Sequence, residues 1–327
     1  MRVGVIGAGV MGQNHIRTYS RIKGVELVGI ADVDPNRLEP LCNEYGCQGY
    51  TDYKELLKQG LDAVSIVVPT TLHKKVSLDV ISAGSNLIVE KPIADTVENA
   101  EKIVEAAKKE DLKLMVGHIE RFNPAVIKMK DIINNKELGK VVSISTLRVG
   151  PYNPRIRDVG VILDIGVHDV DIISYLYSGR VAEVYAIAGN EVHSFEDHAS
   201  IVLRYEDDRA GVVETNWLTP HKTRRFSVIG TDGVAYGDYM EQKVFIHEKD
   251  WIKEAKIDKK EPLMNELENF VKICETHMEP MATGEDGIHA LKVALAAIES
   301  YKLKQAVKIS SVMGACSRSD QADKAFV

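Results

Sequence analysis

Cysteine is scarce, and its four occurrences, Cys42, Cys47, Cys274 and Cys316, form no C-x-x-C pair and no metal-finger spacing. That excludes a disulfide-stapled scaffold or a structural zinc module and predicts free thiols in a reducing compartment. Aromatic residues are 6% of the chain, and positive charge does not dominate: 41 lysines plus arginines meet 48 acids, for a net charge of -7. A general attraction to nucleic acid or to an anionic membrane is therefore absent, although a local basic spot can still hold a phosphorylated small molecule. No apolar run approaches the roughly 18 residues that span a bilayer. The N-terminus enters its first strand too quickly for a secretory leader, so a cytoplasmic protein is expected. What remains is ordinary globular material, 45% hydrophobic and 27% charged over 327 residues, enough for two domains with cores of their own.

From Met1 to about Gly117 strand and helix patterns alternate, with strands predicted at Val3–Ile6, Val25–Ala31, Ala63–Val68, Leu87–Val89 and Leu114–Gly117. Alternation of this kind predicts a doubly wound parallel sheet with helices on both faces, and ligands in such sheets bind outside the carboxyl ends of the strands. Those ends carry Gly7, Asp32, Pro69 and Thr70, then Glu90-Lys91-Pro92, then His118.

The first strand runs straight into Gly7-Ala-Gly9-Val-Met-Gly12 and a helical pattern. Gly7 serves the tight turn, Gly9 lets the backbone approach a pyrophosphate, and Gly12 lets helix and strand pack closely. The second strand ends at Asp32, where a carboxylate can accept hydrogen bonds from the adenosine ribose hydroxyls. A lone G-x-G-x-x-G is weak, but strand, helix and acid together predict dinucleotide binding. Asp32 would repel a 2'-phosphate, which favours NAD over NADP; Arg37 either offsets that charge or is a solvated helix residue.

After Arg121-Phe-Asn-Pro124 the grammar changes to β-rich runs at Lys140–Val149, Val181–Ala188, Ala199–Tyr205, Ala210–Asn216, Arg225–Ile229 and Val234–Gly237. Their period-2 patterns predict an α+β domain with a large, mainly antiparallel open sheet, one face covered by helices. The covering helices are predicted at Pro124–Asn134 and Val159–Tyr177, with Leu263–Thr276 and Asp286–Lys304 returning later. An uncovered, partly apolar sheet face predicts a homodimer or homotetramer through this sheet. The expected division is a dinucleotide-binding domain over residues 1–120, a substrate-binding and oligomerisation domain over 121–313, and a polar tail over 314–327.

Candidate chemistry lies in Asp164-Ile-Gly-Val-His168-Asp-Val-Asp171-Ile-Ile-Ser-Tyr175. On a regular helix Asp164, His168, Asp171 and Tyr175 share one face. A solvated face is the ordinary origin of such a stripe, yet Asp is a poor helix former and Gly166 costs about 1 kcal/mol against Ala in a helix interior. A histidine suits dehydrogenation, because it can take an alcohol proton while hydride leaves the carbon, and an aspartate one turn away can orient it. Metal binding competes, with His193 and His198 as further candidates, but no H-E-x-x-H or comparable closed set occurs, and no metal is expected. Lys91, held extended by Pro92, is either a loop lysine or a donor to the reacting hydroxyl.

Taken together, Gly7-x-Gly9-x-x-Gly12, Asp32-x-Asp34-Pro-x-Arg37, Pro69-Thr-Thr-Leu-His73, Glu90-Lys91-Pro92, Arg121-Phe-Asn-Pro124 and Asp164-x-x-x-His168 make the chain resemble the glucose-fructose oxidoreductase / inositol dehydrogenase (Gfo/Idh/MocA) family over essentially its whole length. The resemblance implies a Rossmann domain, a nicotinamide cofactor and a catalytic set falling on Lys91, Asp164 and His168, with a cis bond between Lys91 and Pro92. It implies cofactor contacts at Gly7, Gly9, Val10, Met11, Gly12, Asp32, Arg37, Pro69, Thr70, Thr71, His73, Glu90 and Lys91. Substrate contacts are implied at Lys91, Glu120, Arg121, Asn123, Arg155, Arg157, Asp164, His168 and Tyr175. Arg155 and Arg157, with a second basic cluster after Trp217 that includes Lys222, Arg224 and Arg225, either bind a diphosphate or carboxylate or pair with the chain's own acids. The segments Gly117–Pro124, Pro154–Gly160 and Asn216–Pro220 resemble the branch acting on UDP-N-acetyl sugars, which implies a nucleotide-sugar substrate oxidised at C3. An inositol or free-sugar dehydrogenase, an NAD-dependent glycosidase and a non-catalytic NAD sensor are the other readings.

Overall fold

The computed structural model describes residues 1–154, 159–276 and 278–312. Arg155, Arg157 and the expected polar tail over 314–327 lie outside the described residues.

The first half builds β1 (Arg2–Ile6), α1 (Val10–Tyr19), β2 (Glu26–Ala31), α2 (Pro35–Tyr45), β3 (Gln48–Tyr50), α3 (Tyr53–Leu57), β4 (Ala63–Ile66), α4 (His73–Ser82), β5 (Asn86–Glu90), α5 (Val97–Lys109) and β6 (Leu114–Gly117). The strands pair in parallel in the order β3-β2-β1-β4-β5-β6. Central strands are buried on both faces, and so they read as near-continuous apolar runs. The edge strand β3 escapes prediction because its three residues, Gln48 to Tyr50, are too few and too polar to show a pattern. Asp34 caps α2 through the Asn36 N-H, with Pro35 in the first turn, which ends the β2 loop crisply beside Asp32.

The second half contains α6 (Pro124–Asn134), β7 (Val141–Pro151), a π-turn at Ile162–Gly166, α7 (Val167–Tyr177), β8 (Val181–Gly189), β9 (His198–Tyr205), β10 (Ala210–Asn216), β11 (Leu218–Gly230), β12 (Val234–Asp238), β13 (Lys243–His247), β14 (Ile252–Glu254), α8 (Pro262–Glu275), α9 (Gly284–Leu303) and β15 (Val307–Lys308). Nine strands form one open sheet in the order β14-β13-β12-β11-β7-β10-β9-β8-β15, antiparallel except where β7 meets β10. Inward residues such as Ile144, Ile201, Leu203, Val213 and Val228 pack under α6, α7 and α9.

The helix predicted over Leu263–Thr276 does not cover this sheet. Leu263, Leu267, Phe270 and Ile273 of α8 instead join Val3, Ile16 and Tyr19 in the core of the parallel-sheet domain. The helix α9 belongs to both halves: Ala290, Val293, Ala294 and Ala297 enter the second core, whereas Leu291 enters the first.

Candidate active site

At the carboxyl ends of the parallel strands a cavity of about 890 Å³ is lined by Gly7, Gly9, Val10, Met11, Asp32, Arg37, Pro69, Thr70, Thr71 and Lys91, among others. Gly7 has φ +101, and a Cβ there would collide with the Val67 carbonyl; one on Gly12 would collide with the Gly7 carbonyl. Gly9, the N-cap of α1, supplies no capping side chain and has nothing within 4 Å of where a Cβ would stand. The first turn of α1 therefore offers its N-H groups to open space, the geometry that suits a phosphate. Asp32 forms the floor, accepting from Ala8 N at 2.7 Å and Asp34 N at 3.0 Å, while half-exposed Arg37 stands 3.6 Å away. A bare glycine cradle, a free helix start and a carboxylate at the second strand end fit a dinucleotide.

This cavity opens into a cleft of about 530 Å³ walled by both halves of the chain; Met11, Val67, Pro69, Thr70, Lys91 and Asp164 line both spaces. The Lys91-Pro92 bond is cis. The Lys91 ammonium donates to the Asp164 main-chain carbonyl at 2.6 Å and stands 3.8 Å from the Asp164 carboxylate. His168 lines the same cleft. Burial, reinforced by the positive charges of Lys91, Arg148 and Arg224, pushes its pKa well below the ordinary histidine value, so the ring is neutral and carries a lone pair. Among the described residues the Nδ1 atom of His168 has no hydrogen-bond partner. Asp164, expected to orient this ring, thus makes its contacts to Lys91 instead. The five-residue π-turn at Ile162–Gly166 rotates Asp164 out of the regular i, i+4 relation with His168.

Several expected substrate contacts lie elsewhere. Tyr175 follows His168 by two turns, about 10 Å along α7, and its ring meets the Arg121 guanidinium at 5.0 Å rather than the cleft. Arg121 is buried, with its Nε and Nη2 on Asp171 at 2.6 to 3.1 Å and its Nη1 on Asp286 at 2.8 Å and the Met281 carbonyl at 2.6 Å. Asn123 caps α6 and donates to the Tyr239 carbonyl at 3.1 Å. Glu120 accepts from Arg148 at 2.8 Å. None of these four lines the cleft. His73 does line it, but its ring nitrogens lie 2.9 Å from the Pro92 carbonyl and 3.0 Å from that of Val68. Burial keeps that ring neutral, so it donates to one carbonyl only and ties two loops together. Glu90 lines the cleft behind Lys91.

Arg148 on β7 also lines the cleft and went unread in the sequence, whereas Asn216, Trp217, Lys222 and Arg224 come from the segment that carries the second basic cluster. An arginine at an inward position of β7, in register with Ile144 and Thr146, was the available signal for Arg148. His193 stacks on Tyr152 with centroids 3.8 Å apart, and His198 sits 2.8 Å from Asp197. Among the described residues no group of three or more potential ligands could hold a metal, and no helix is long and apolar enough to cross a membrane.

A six-stranded parallel sheet with a glycine cradle, coupled to an open sheet that closes a Lys-His cleft, defines a two-domain pyridine-nucleotide oxidoreductase. Residues 1–118 match the profile of the oxidoreductase family with an NAD-binding Rossmann fold, and residues 126–236 match the Gfo/Idh/MocA C-terminal domain. The chain belongs to the Gfo/Idh/MocA family of oxidoreductases. It is 26% identical to UDP-N-acetylglucosamine 3-dehydrogenase of Acidithiobacillus ferrooxidans over 92% of this chain and 98% of that protein. The solved structure of that enzyme superposes with a TM-score of 0.87 over 93% of this chain and 98% of the other, at 26% identity. It is 27% identical to myo-inositol 2-dehydrogenase of Thermotoga maritima over 96% of this chain and 100% of the relative. A probable dehydrogenase from Thermotoga maritima superposes with a TM-score of 0.86 at 27% identity, over 96% and 100% of the two chains.

Proposed function

We propose that the protein oxidises a ring hydroxyl of a nucleotide sugar to a ketone with NAD, the preferred substrate being UDP-N-acetylglucosamine and the carbon C3. The observation that carries this reading is the positive charge of the cleft: among the described residues Lys222 has no ion-pair partner, and Arg224 has a single long contact, 3.7 Å to Glu120. A neutral polyol gives these cations nothing to bind, whereas a diphosphate gives each an oxyanion. Neutral His168 would take the hydroxyl proton of the sugar, and Lys91, anchored to Asp164, would stabilise the developing alkoxide. The cofactor supplies the hydride acceptor; the chain supplies the base, the cation and the alignment. Asp32 favours a free ribose hydroxyl over a phosphate, hence NAD over NADP.

The test is nicotinamide absorbance with NAD or NADP against UDP-GlcNAc, its uronate, free GlcNAc and myo-inositol. Reduction confined to a UDP-sugar, with a KM raised by Arg224→Ala and Lys222→Ala, supports the proposal. Turnover of myo-inositol indifferent to both changes moves the protein to the polyol reading, which the 27% identity to an inositol dehydrogenase favours.

The same proposal includes a symmetric oligomer formed on the outer face of the nine-stranded sheet. One row runs across that face in register, Tyr185, Val202, Val212, Ser145, Ser227, Tyr236 and Phe245. Tyr185, Val202 and Tyr236 are 41%, 46% and 48% exposed. An apolar stripe flanked by rows bearing both signs of charge is self-complementary about a two-fold axis.

A further inference from the structure

Behind the cleft floor four polar side chains form an unbroken chain that the proposed reaction does not use. The Tyr19 hydroxyl lies 2.8 Å from Ser65 Oγ, Ser65 Oγ lies 3.1 Å from His15 Nδ1, and His15 Nε2 lies 3.2 Å from Glu90 Oε1. His15 and Tyr19 are one turn apart on α1, Ser65 sits beneath them on β4, and Glu90 ends β5. The first three are at most 1% exposed, whereas the Glu90 side chain is 13% exposed and reaches the cleft. The second oxygen of Glu90 accepts the Lys91 N-H at 3.2 Å.

The order of hydrogens along this chain follows from its acceptor end. A carboxylate only accepts, so His15 Nε2 carries a hydrogen and donates to Glu90. On the other side of the ring Nδ1 meets the Ser65 hydroxyl, which in turn meets the Tyr19 hydroxyl, so the imidazole is held between Glu90 and Ser65. The other groups facing Glu90 do not neutralise it. His73 on α4 and His118 after β6 are held uncharged by burial, Glu266 on α8 is driven to its protonated form by burial beside Glu90 and Glu120, and the Lys91 ammonium is turned to Asp164. Burial alone would raise the Glu90 pKa; the His15 hydrogen bond and the Lys91 charge overcome it and hold the group below the ordinary carboxylate range.

We propose that His15 is a positioning residue that keeps Glu90 ionised and aimed at the hydride-transfer end of the cleft, where the carboxylate favours the cationic oxidised nicotinamide over the neutral reduced one. Hydride transfer removes the positive charge from the nicotinamide ring, so a fixed carboxylate beside it discriminates between the two oxidation states. This rests on the assignment of the cleft to a nicotinamide cofactor.

The experiment is calorimetric titration of NAD+, NADH and ADP-ribose into the wild-type protein, His15→Phe, His15→Gln, Glu90→Gln and the His15→Phe/Glu90→Gln double variant at several pH values. His15→Phe is expected to lose about tenfold in NAD+ affinity, with NADH and ADP-ribose changed by less than about twofold. Without the imidazole, buried Glu90 takes up a proton as pH falls, so the loss deepens toward acid. Glu90→Gln shows the loss without the added pH dependence, the double variant behaves like Glu90→Gln, and His15→Gln, which keeps an N-H donor, recovers part of the affinity. Equal losses for all three ligands, or none, in His15→Phe overturn the proposal, and so does an unchanged NAD+ to NADH preference in Glu90→Gln, which stands even where His15→Phe does not fold. Failure of wild-type protein to bind ADP-ribose and both nucleotides overturns the cofactor assignment instead.

Discussion

Replacing Arg148 with methionine isolates the electrostatic cost of building this cleft. Arg148 is 2% exposed; its Nε donates to the two oxygens of Asp169 at 3.1 and 3.0 Å, its Nη1 to Glu120 at 2.8 Å, and its guanidinium stands 4.8 Å from the centre of the Tyr239 ring. Methionine fills much of the volume but leaves buried Asp169 without its cation and Glu120 with only the long contact to Arg224 among the described residues, and breaking a buried pair from one side costs about 3–5 kcal/mol. Burial already pushes the Asp169 pKa up to about 6 with the arginine in place. Without it the folded-state pKa rises further, while the unfolded chain keeps its aspartate near about 3.9. The folded variant therefore binds more protons than its unfolded state, and its stability falls as pH rises through that window. Urea denaturation followed by tryptophan fluorescence should show a deficit of about 3–5 kcal/mol at neutral pH that shrinks by at least about 1 kcal/mol near pH 5. Arg148→Met/Asp169→Asn should recover part of the neutral-pH loss. A deficit below about 1 kcal/mol, or one independent of pH, would refute the claim that Arg148 holds Asp169 ionised at neutral pH.

His168→Ala should lower turnover by about 10² to 10⁴ while leaving NAD affinity unchanged, as judged by steady-state rates beside a cofactor titration. Gly12→Ala, whose Cβ would collide with the Gly7 carbonyl, should abolish NADH fluorescence enhancement while the second domain keeps its fold by circular dichroism. Tyr185→Glu with Tyr236→Glu should reduce the mass measured by light scattering to that of a single chain, since like charges would be buried against their symmetry mates. An unchanged mass would remove the sheet face from the assembly.

The parallel sheet was legible because its central strands are short apolar runs separated by helices, and because the glycine turn and Asp32 mark strand ends by chemistry rather than by pattern. The open sheet was legible in its middle, where strands such as β9 alternate strictly, and not at β14 and β15, which have three and two residues; β13 was missed although its five residues alternate. Residue type and spacing singled out Lys91, Asp164 and His168 without deciding between a solvated stripe and a site; the family resemblance assigned them together, and they do face one cleft. Their partnership was not legible, because a π-turn changes which atoms meet and nothing in Ile162–Gly166 announces it beyond Gly166. Arg121, Glu120 and Asn123 show the opposite limit: polar residues next to a site in sequence are as readily used to bind one element to another. Their two carboxylate-guanidinium networks involve Asp169, Asp171 and Asp286, which are distant in sequence, so no local pattern could separate structural from substrate-facing charge.

The position of α9 bears on how ligands come and go. With Ala294 and Ala297 in one core and Leu291 in the other, swinging the two sheets apart would strip the helix from one of them, at about 1.5–3 kcal/mol for each large side chain uncovered. Any opening of the cleft therefore has to work against this shared spine. On the proposed reading, selectivity becomes a matter of molecular length: a substrate is measured by how far its charged end, at Arg224, lies from the carbon beside Lys91.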